Sequence, residues 1–139
     1  MLLKTIEDDR GSLVVNSIPS HLPAFPVRRF FLINGKTGIP RGNHAHRTCW
    51  QILIIISGNW KISLQTLNGI NITDSGHKPA ELTIVEPNTW AEIEPLSDDA
   101  QMLVLCDKEY DEADYIRDHD QFLQLQKEYR KTLKYGITH

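Results

Sequence analysis

His44 and His46 stand one residue apart in "GIPRGNHAHRTCWQ", Gly38 to Gln51, with Arg41 and Gly42 before them and a hydrophobic run after. On a β-strand, alternate side chains share a face, so two imidazoles at this spacing converge on one cavity. Imidazole has two uses in such a place. Its neutral nitrogens ligate metals, and with an unperturbed pKa near 6.5 it takes up and returns protons at ordinary pH. An HxH pair fits both.

The elements that position the pair read as short strands. "SLVVNSI", "VRRFFLI", "WQILIII", "WKISLQTL", "INITDS", "LTIVE", "WAEIEPL" and "QMLVLC" are β-branched, alternating or continuously apolar runs separated by turn residues. "ISGNWKISL" reads as a hairpin turning at Ser57-Gly58-Asn59. This spacing predicts a closed or two-layered antiparallel barrel. The pattern changes after Asp107. Phe122, Leu125, Tyr129 and Leu133 recur at helical spacing, with acids early and Lys/Arg late. One helix is predicted from about Asp118 to Tyr135, packed on the barrel or on a second subunit.

With 139 residues, 40% of them hydrophobic, the chain has the size and core of one domain, 1–139. A net charge of -3 gives no basic surplus for nucleic acid or an anionic membrane. Cys49 and Cys106 sit in apolar segments outside any CxxC pair, which predicts buried reduced thiols and a cytoplasmic protein. "MLLKTIEDDRG" lacks the apolar core of a signal peptide, and the run Ile52 to Ile56 is too short to span a bilayer. Trp60 is expected in the core and Trp50 in the core or an interface. His21, His77, His119 and His139 read as loop, helix-surface and tail histidines. Asp111, Glu112 and Asp114 read as a solvated face or a helix cap, and Tyr115 and Arg117 as positioning the helix start.

The longer spacing is more specific than the pair. Gly38, five residues, His44-Ala45-His46, four residues, Gln51, six residues, Gly58 resembles the first cupin motif, G(x5)HxH(x3–4)E(x6)G. Gln51 replaces the glutamate of metal-binding cupins. In "EPNTWAEI", which resembles the second motif, Glu92 stands where a third histidine is usual. A cupin metal site needs about three His and a carboxylate, or two His and one carboxylate. A two-His–Glu92 iron site is the metal reading; a metal-free acid–base pair suits the residues better.

"RGNHAHR" with Gln51 further resembles the RGxHAHKxxxQ signature of cupin-type nucleotide-sugar 3,4-ketoisomerases, a family that includes WxcM-like proteins. "DDRGSL", "VRRFFLI", "EPNTWAEI" and "EYDEADYIRDHDQF" are similar to family stretches in the same order. The resemblance implies an all-β cupin jelly-roll barrel with one C-terminal α-helix, a homodimer exchanging N-terminal strands, and a nucleotide-diphosphate sugar, thymidine-linked, in the barrel mouth. It implies no metal and no cofactor. The implied reaction moves the carbonyl of a 4-keto-6-deoxyhexose from C4 to C3 in deoxysugar or O-antigen biosynthesis. The catalytic roles fall on His44 as proton shuttle and His46 as its partner. The implied substrate-binding residues are Arg10, Arg28, Arg41, Gln51, Trp90 and Glu92, with Arg28 and Arg41 on the diphosphate; Arg29 is expected to be a solvated edge charge.

Two positions depart from the family. Phe30 takes the place of a tyrosine thought to assist proton transfer, and Ala91 that of a His or Arg after the tryptophan. Arg10 and Ala91 resemble positions that set which face of C4 is protonated; Arg10 is of the galactose type and Ala91 of neither. Three explanations stay open: a 3- or 5-epimerase on a similar sugar, a non-catalytic sugar-nucleotide-binding cupin, or replacement of the missing group by Tyr110, Tyr115 or Glu92.

Overall fold

The computed structural model describes residues 4–15, 17, 18, 22, 25–76 and 82–135. The positions of His21, His77 and His139 lie outside them. The strands are β1 (Lys4–Asp8), β2 (Gly11–Val15), β3 (Arg29–Asn34), β4 (Arg41–His46), β5 (Gln51–Ser57), β6 (Trp60–Gln65), β7 (Asn71–Gly76), β8 (Leu82–Val85), β9 (Trp90–Pro95), β10 (Gln101–Cys106) and β11 (Tyr115–Ile116). A 3-10 turn spans Glu112–Asp114 and the helix α1 spans His119–Tyr135. Apart from the β1–β2 hairpin, the strands form two antiparallel sheets, in the orders β3-β10-β5-β8 and β11-β4-β9-β6-β7. The molecule is mostly β with a single C-terminal helix, as the sequence predicts.

The main core lies between the sheets and includes Trp60, Ile55, Met102, Val104 and Ile93. β10 shows why it forms: Met102, Val104 and Cys106 point inward at period two, while Leu103 and Leu105 face out half-buried. β5 is apolar on both faces because it is central in its sheet, with Ile52 packed outward on Leu22 and Leu82. Trp60 is fully buried, and Trp50 packs partly buried against this outer cluster.

One expected pairing does not occur. β5 and β6 belong to different sheets, so Ser57-Gly58-Asn59 is a corner of the barrel and not a hairpin turn. Gly58 has φ +74°, and a Cβ there would lie 2.5 Å from Ala100 Cα, so only glycine lets the chain turn so close to the β9–β10 connection. The local signal of a turn was real; which strand follows as a partner is a tertiary matter. β6 pairs instead with β7 and β9.

α1 starts behind Asp118, whose side chain accepts from the Asp120 amide at 3.0 Å. Phe122 is fully buried on Trp90, Ala45 and Ile116, the outer face of the second sheet. That burial stabilises by roughly 1.5–3 kcal/mol. Gln126 Nε2 donates to the Thr66 carbonyl at 2.7 Å, while Tyr129 and Leu133 remain exposed. His119 sits at the helix start, and one of its ring nitrogens bonds Gln65.

Candidate active site

β4 carries both histidines, and a bulge aims them. Gly42 and Asn43 have φ +86° and +55°, and the pairing with β9 shifts between Gly42 and His44. A Cβ on Gly42 would lie 3.0 Å from the Ala91 carbonyl oxygen, so the "RGN" step is shaped by that close approach. After the bulge, Ala45 packs outward under α1 while His44 and His46 face the interior.

Each imidazole has a defined tautomer. His44 Nδ1 lies 2.9 Å from the Gly42 carbonyl, which can only accept, so Nδ1 carries the proton and Nε2 keeps its lone pair. His46 Nδ1 lies 3.0 Å from Asp114 Oδ2 and is fixed the same way; its Nε2 is buried and has no hydrogen-bond partner. The rings meet edge to face at 4.9 Å. Burial, and then the neighbouring His46, push the His44 pKa down to about 4. Burial also lowers His46, against the opposing pull of Asp114. Both rings are therefore neutral near pH 7.

Asp114 and Tyr115 complete the site. β11 pairs with β4 so that Tyr115 lies opposite His46. Asp114 Oδ1 accepts from the Thr48 amide and hydroxyl, each at 2.7 Å, which leaves Oδ2 for His46. Asp114 is thus a buried brace of the histidine, which corrects its reading as a solvated acid; Asp111, which accepts from the Ala113 amide, is the cap. Tyr115 packs its ring 5.0 Å from His44 and 4.3 Å from His46, a correction of its expected role at the helix start. Its hydroxyl accepts from Arg29 Nη1 at 3.1 Å.

A cavity of about 460 Å³ opens between the sheets, walled by His44, Tyr115, Gln51, Ala91, Arg41 and Phe31 among others. His44 lines it directly and His46 sits behind. Gln51 is buried and donates to Cys106 Sγ at 3.4 Å. Both cysteines are free and buried. Arg117, which the sequence placed at the helix start, also lines the cavity, stacked 4.1 Å over the Tyr115 ring and bonded to Glu112.

Several expected site residues are placed elsewhere. Strand alternation puts Ala91 and Ile93 of β9 on the cavity, which sends Trp90 and Glu92 to the outer face. Trp90 packs on Phe122 there and donates to Glu92 at 3.1 Å. The same alternation on β3 turns Arg29, Phe31 and Ile33 inward and Phe30 outward, and Arg28, just before the strand, is exposed. Phe30 is 69% exposed, so the aromatic facing the cavity is Phe31, and the inward cation is Arg29 in place of Arg28. Arg10 lies at the tip of the β1–β2 hairpin, paired with Asp8 and clear of this cavity.

The fold and the site define a cupin-type jelly roll built around a neutral imidazole pair. The family model described as "FdtA: WxcM-like, C-terminal" matches residues 1–127, and the chain belongs to that family. It is 39% identical over 121 residues to the TDP-4-oxo-6-deoxy-alpha-D-glucose-3,4-oxoisomerase of Aneurinibacillus thermoaerophilus, covering 86% of this chain and 85% of that protein. Among solved structures, a 3,4-ketoisomerase from Helicobacter canadensis superposes with a TM-score of 0.78 at 31% identity, covering 91% of this chain and 94% of the other. QdtA, a sugar 3,4-ketoisomerase from Thermoanaerobacterium thermosaccharolyticum in complex with TDP, superposes with a TM-score of 0.79 at 29% identity, covering 92% of this chain and 93% of the other.

Proposed function

We propose that the protein is a 3,4-ketoisomerase of a thymidine-diphosphate 4-keto-6-deoxyhexose. The observation that carries this reading is His44, whose Nε2 lone pair belongs to a cavity-lining ring of low pKa packed 5.0 Å from the Tyr115 ring. A proton on C3 is acidified by the C4 carbonyl. His44 Nε2 takes it, and the electron pair becomes the C3=C4 bond of an enediolate with its charge on O4. Tyr115, whose oxygen is occupied by Arg29, has its own proton free to donate to that oxygen. The Tyr115 oxygen then takes the 3-hydroxyl proton while protonated His44 returns its proton to C4, which leaves the carbonyl at C3 and both side chains as they began. His46, braced by Asp114, fixes the His44 ring and the polarity around it. Arg41, with Arg117 beside it at the cavity wall, holds the diphosphate.

The same reading includes a homodimer with exchanged N-terminal strands. An isolated two-stranded hairpin is marginal in water. Here β1 and β2 are exposed throughout and carry Ile6, Leu13, Val14 and Val15, while the edge strand β3 exposes Phe30 and Leu32. A partner's hairpin laid along β3 covers both apolar surfaces and brings Arg10 to the neighbouring subunit.

The test is to incubate the protein with thymidine-diphosphate 4-keto-6-deoxyglucose and follow the carbonyl by carbon-13 NMR. The expected result is a new C3 carbonyl. A carbonyl that stays at C4 while C3 or C5 exchanges its proton means an epimerase. Binding without exchange means a sugar-nucleotide-binding protein.

A further inference from the structure

We propose that His46, Cys49 and Asp114 form a binding site for a borderline-soft divalent cation of the zinc type, and that its occupancy silences the imidazole pair. A ring nitrogen of His46, Cys49 Sγ and a carboxylate oxygen of Asp114 lie within 4.8 Å of one another, and all three residues are buried. A nitrogen, a sulfur and an oxygen donor suit zinc and its neighbours and not magnesium or calcium. Bond lengths near 2.0–2.3 Å put tetrahedral ligand atoms roughly 3.3–3.8 Å apart, so the cluster needs only a small closure. Cys49 sits in the loop between β4 and β5, outside any strand ladder, and that loop is already tied to Asp114 through Thr48. The ring nitrogen that faces the cluster is Nδ1, 3.0 Å from Asp114 Oδ2, on a ring that is 3% exposed.

Binding involves no redox step. The Cys49 thiol releases its proton to solvent as the sulfur–metal bond forms, and the thiolate and carboxylate together balance the dication. To bind the metal, His46 Nδ1 offers its lone pair and the ring proton moves to Nε2, so the His46–Asp114 hydrogen bond is lost and the metal holds a ring that otherwise packs against His44. The silencing rests on the ketoisomerase reading; the site itself does not.

The test uses the whole protein with cobalt as a spectroscopic stand-in for zinc. Cobalt is expected to give a thiolate charge-transfer band that zinc displaces, that Cys49→Ala abolishes and that Cys106→Ala retains. Zinc affinity is expected to fall more than about tenfold in Cys49→Ala. Saturating zinc is expected to slow sugar C3 proton exchange in the wild type and to leave Cys49→Ala unaffected. Absence of the band, or a band that survives Cys49→Ala, overturns the site. A band with undiminished proton exchange overturns the silencing. A wild type inactive on the sugar leaves the cobalt band to decide the site, so the failure of one reading is distinguishable from failure of the other.

Discussion

Arg29 and Tyr115 meet across the barrel, Nη1 to Oη at 3.1 Å, from strands in opposite sheets. Among the described residues no carboxylate pairs with Arg29, and its buried Nε has no partner. A half-buried cation without a carboxylate partner is stabilised by an anion that forms next to it, which is the electrostatics of an enediolate site. Tyr115→Phe should lower kcat on the order of 100-fold with little change in KM, since the hydroxyl acts on charge that develops only in the transition state. Arg29→Met should lower kcat in the same sense. Steady-state kinetics check this; a rise in KM with kcat intact would make Tyr115 a substrate-binding group only.

The pH dependence follows from the lowered histidine pKa values. His44 must be neutral to accept a proton, so kcat/KM should stay level as pH drops through 6.5 and decline only toward about 4. Stability has the same sign. The unfolded chain binds more protons than the folded one between about 6.5 and about 4, so stability is full above that window and lost as pH falls through it. Asp114, lowered from 3.8, adds its own loss only at more acid pH. A kinetic acid limb near 6.5 would contradict the burial of His44.

Asp114→Asn should uncouple His46. The amide cannot match both oxygens' roles toward His46, Thr48 N and Thr48 Oγ1. Stability should fall by about 1–3 kcal/mol, and kcat should fall with it, while KM holds. Denaturant unfolding and kinetics on the same preparation separate the effects; loss of stability with kcat unchanged would limit Asp114 to a structural role.

Leu13→Asp should weaken the dimer. It places a charge on the hairpin's exposed apolar face, where the partner subunit's β3 would bury it. Sedimentation should show the wild type as a dimer and the variant shifted toward monomer. A monomeric wild type would remove the exchanged-strand reading and Arg10 from the site.

Much of this was legible in the sequence wherever a local period carried the information. The strands from β5 to β10, α1 and the HxH pair follow from runs and spacing that the fold respects. What failed was parity and partnership. Whether Arg28 or Arg29, Phe30 or Phe31, and Ala91 or Trp90 faces inward depends on the position of a strand relative to its neighbours, and a one-residue slip exchanges the faces. Asp114, 68 positions after His46, and Tyr115 reach the histidines where a 3-10 turn meets a two-residue strand, too short for any alternation to announce it. Gly58 shows the same limit, since its turn is local but its corner is set by Ala100.

The central claim is that His44 moves the proton. The most direct measurement is the rate at which thymidine-diphosphate 4-keto-6-deoxyglucose loses its C3 proton to deuterated water, in wild type and His44→Asn, with nucleotide affinity measured alongside. The account predicts exchange slowed by about 10²–10⁴-fold at unchanged affinity. Exchange in His44→Asn within a few-fold of wild type would contradict it and pass the role to another group in the cavity.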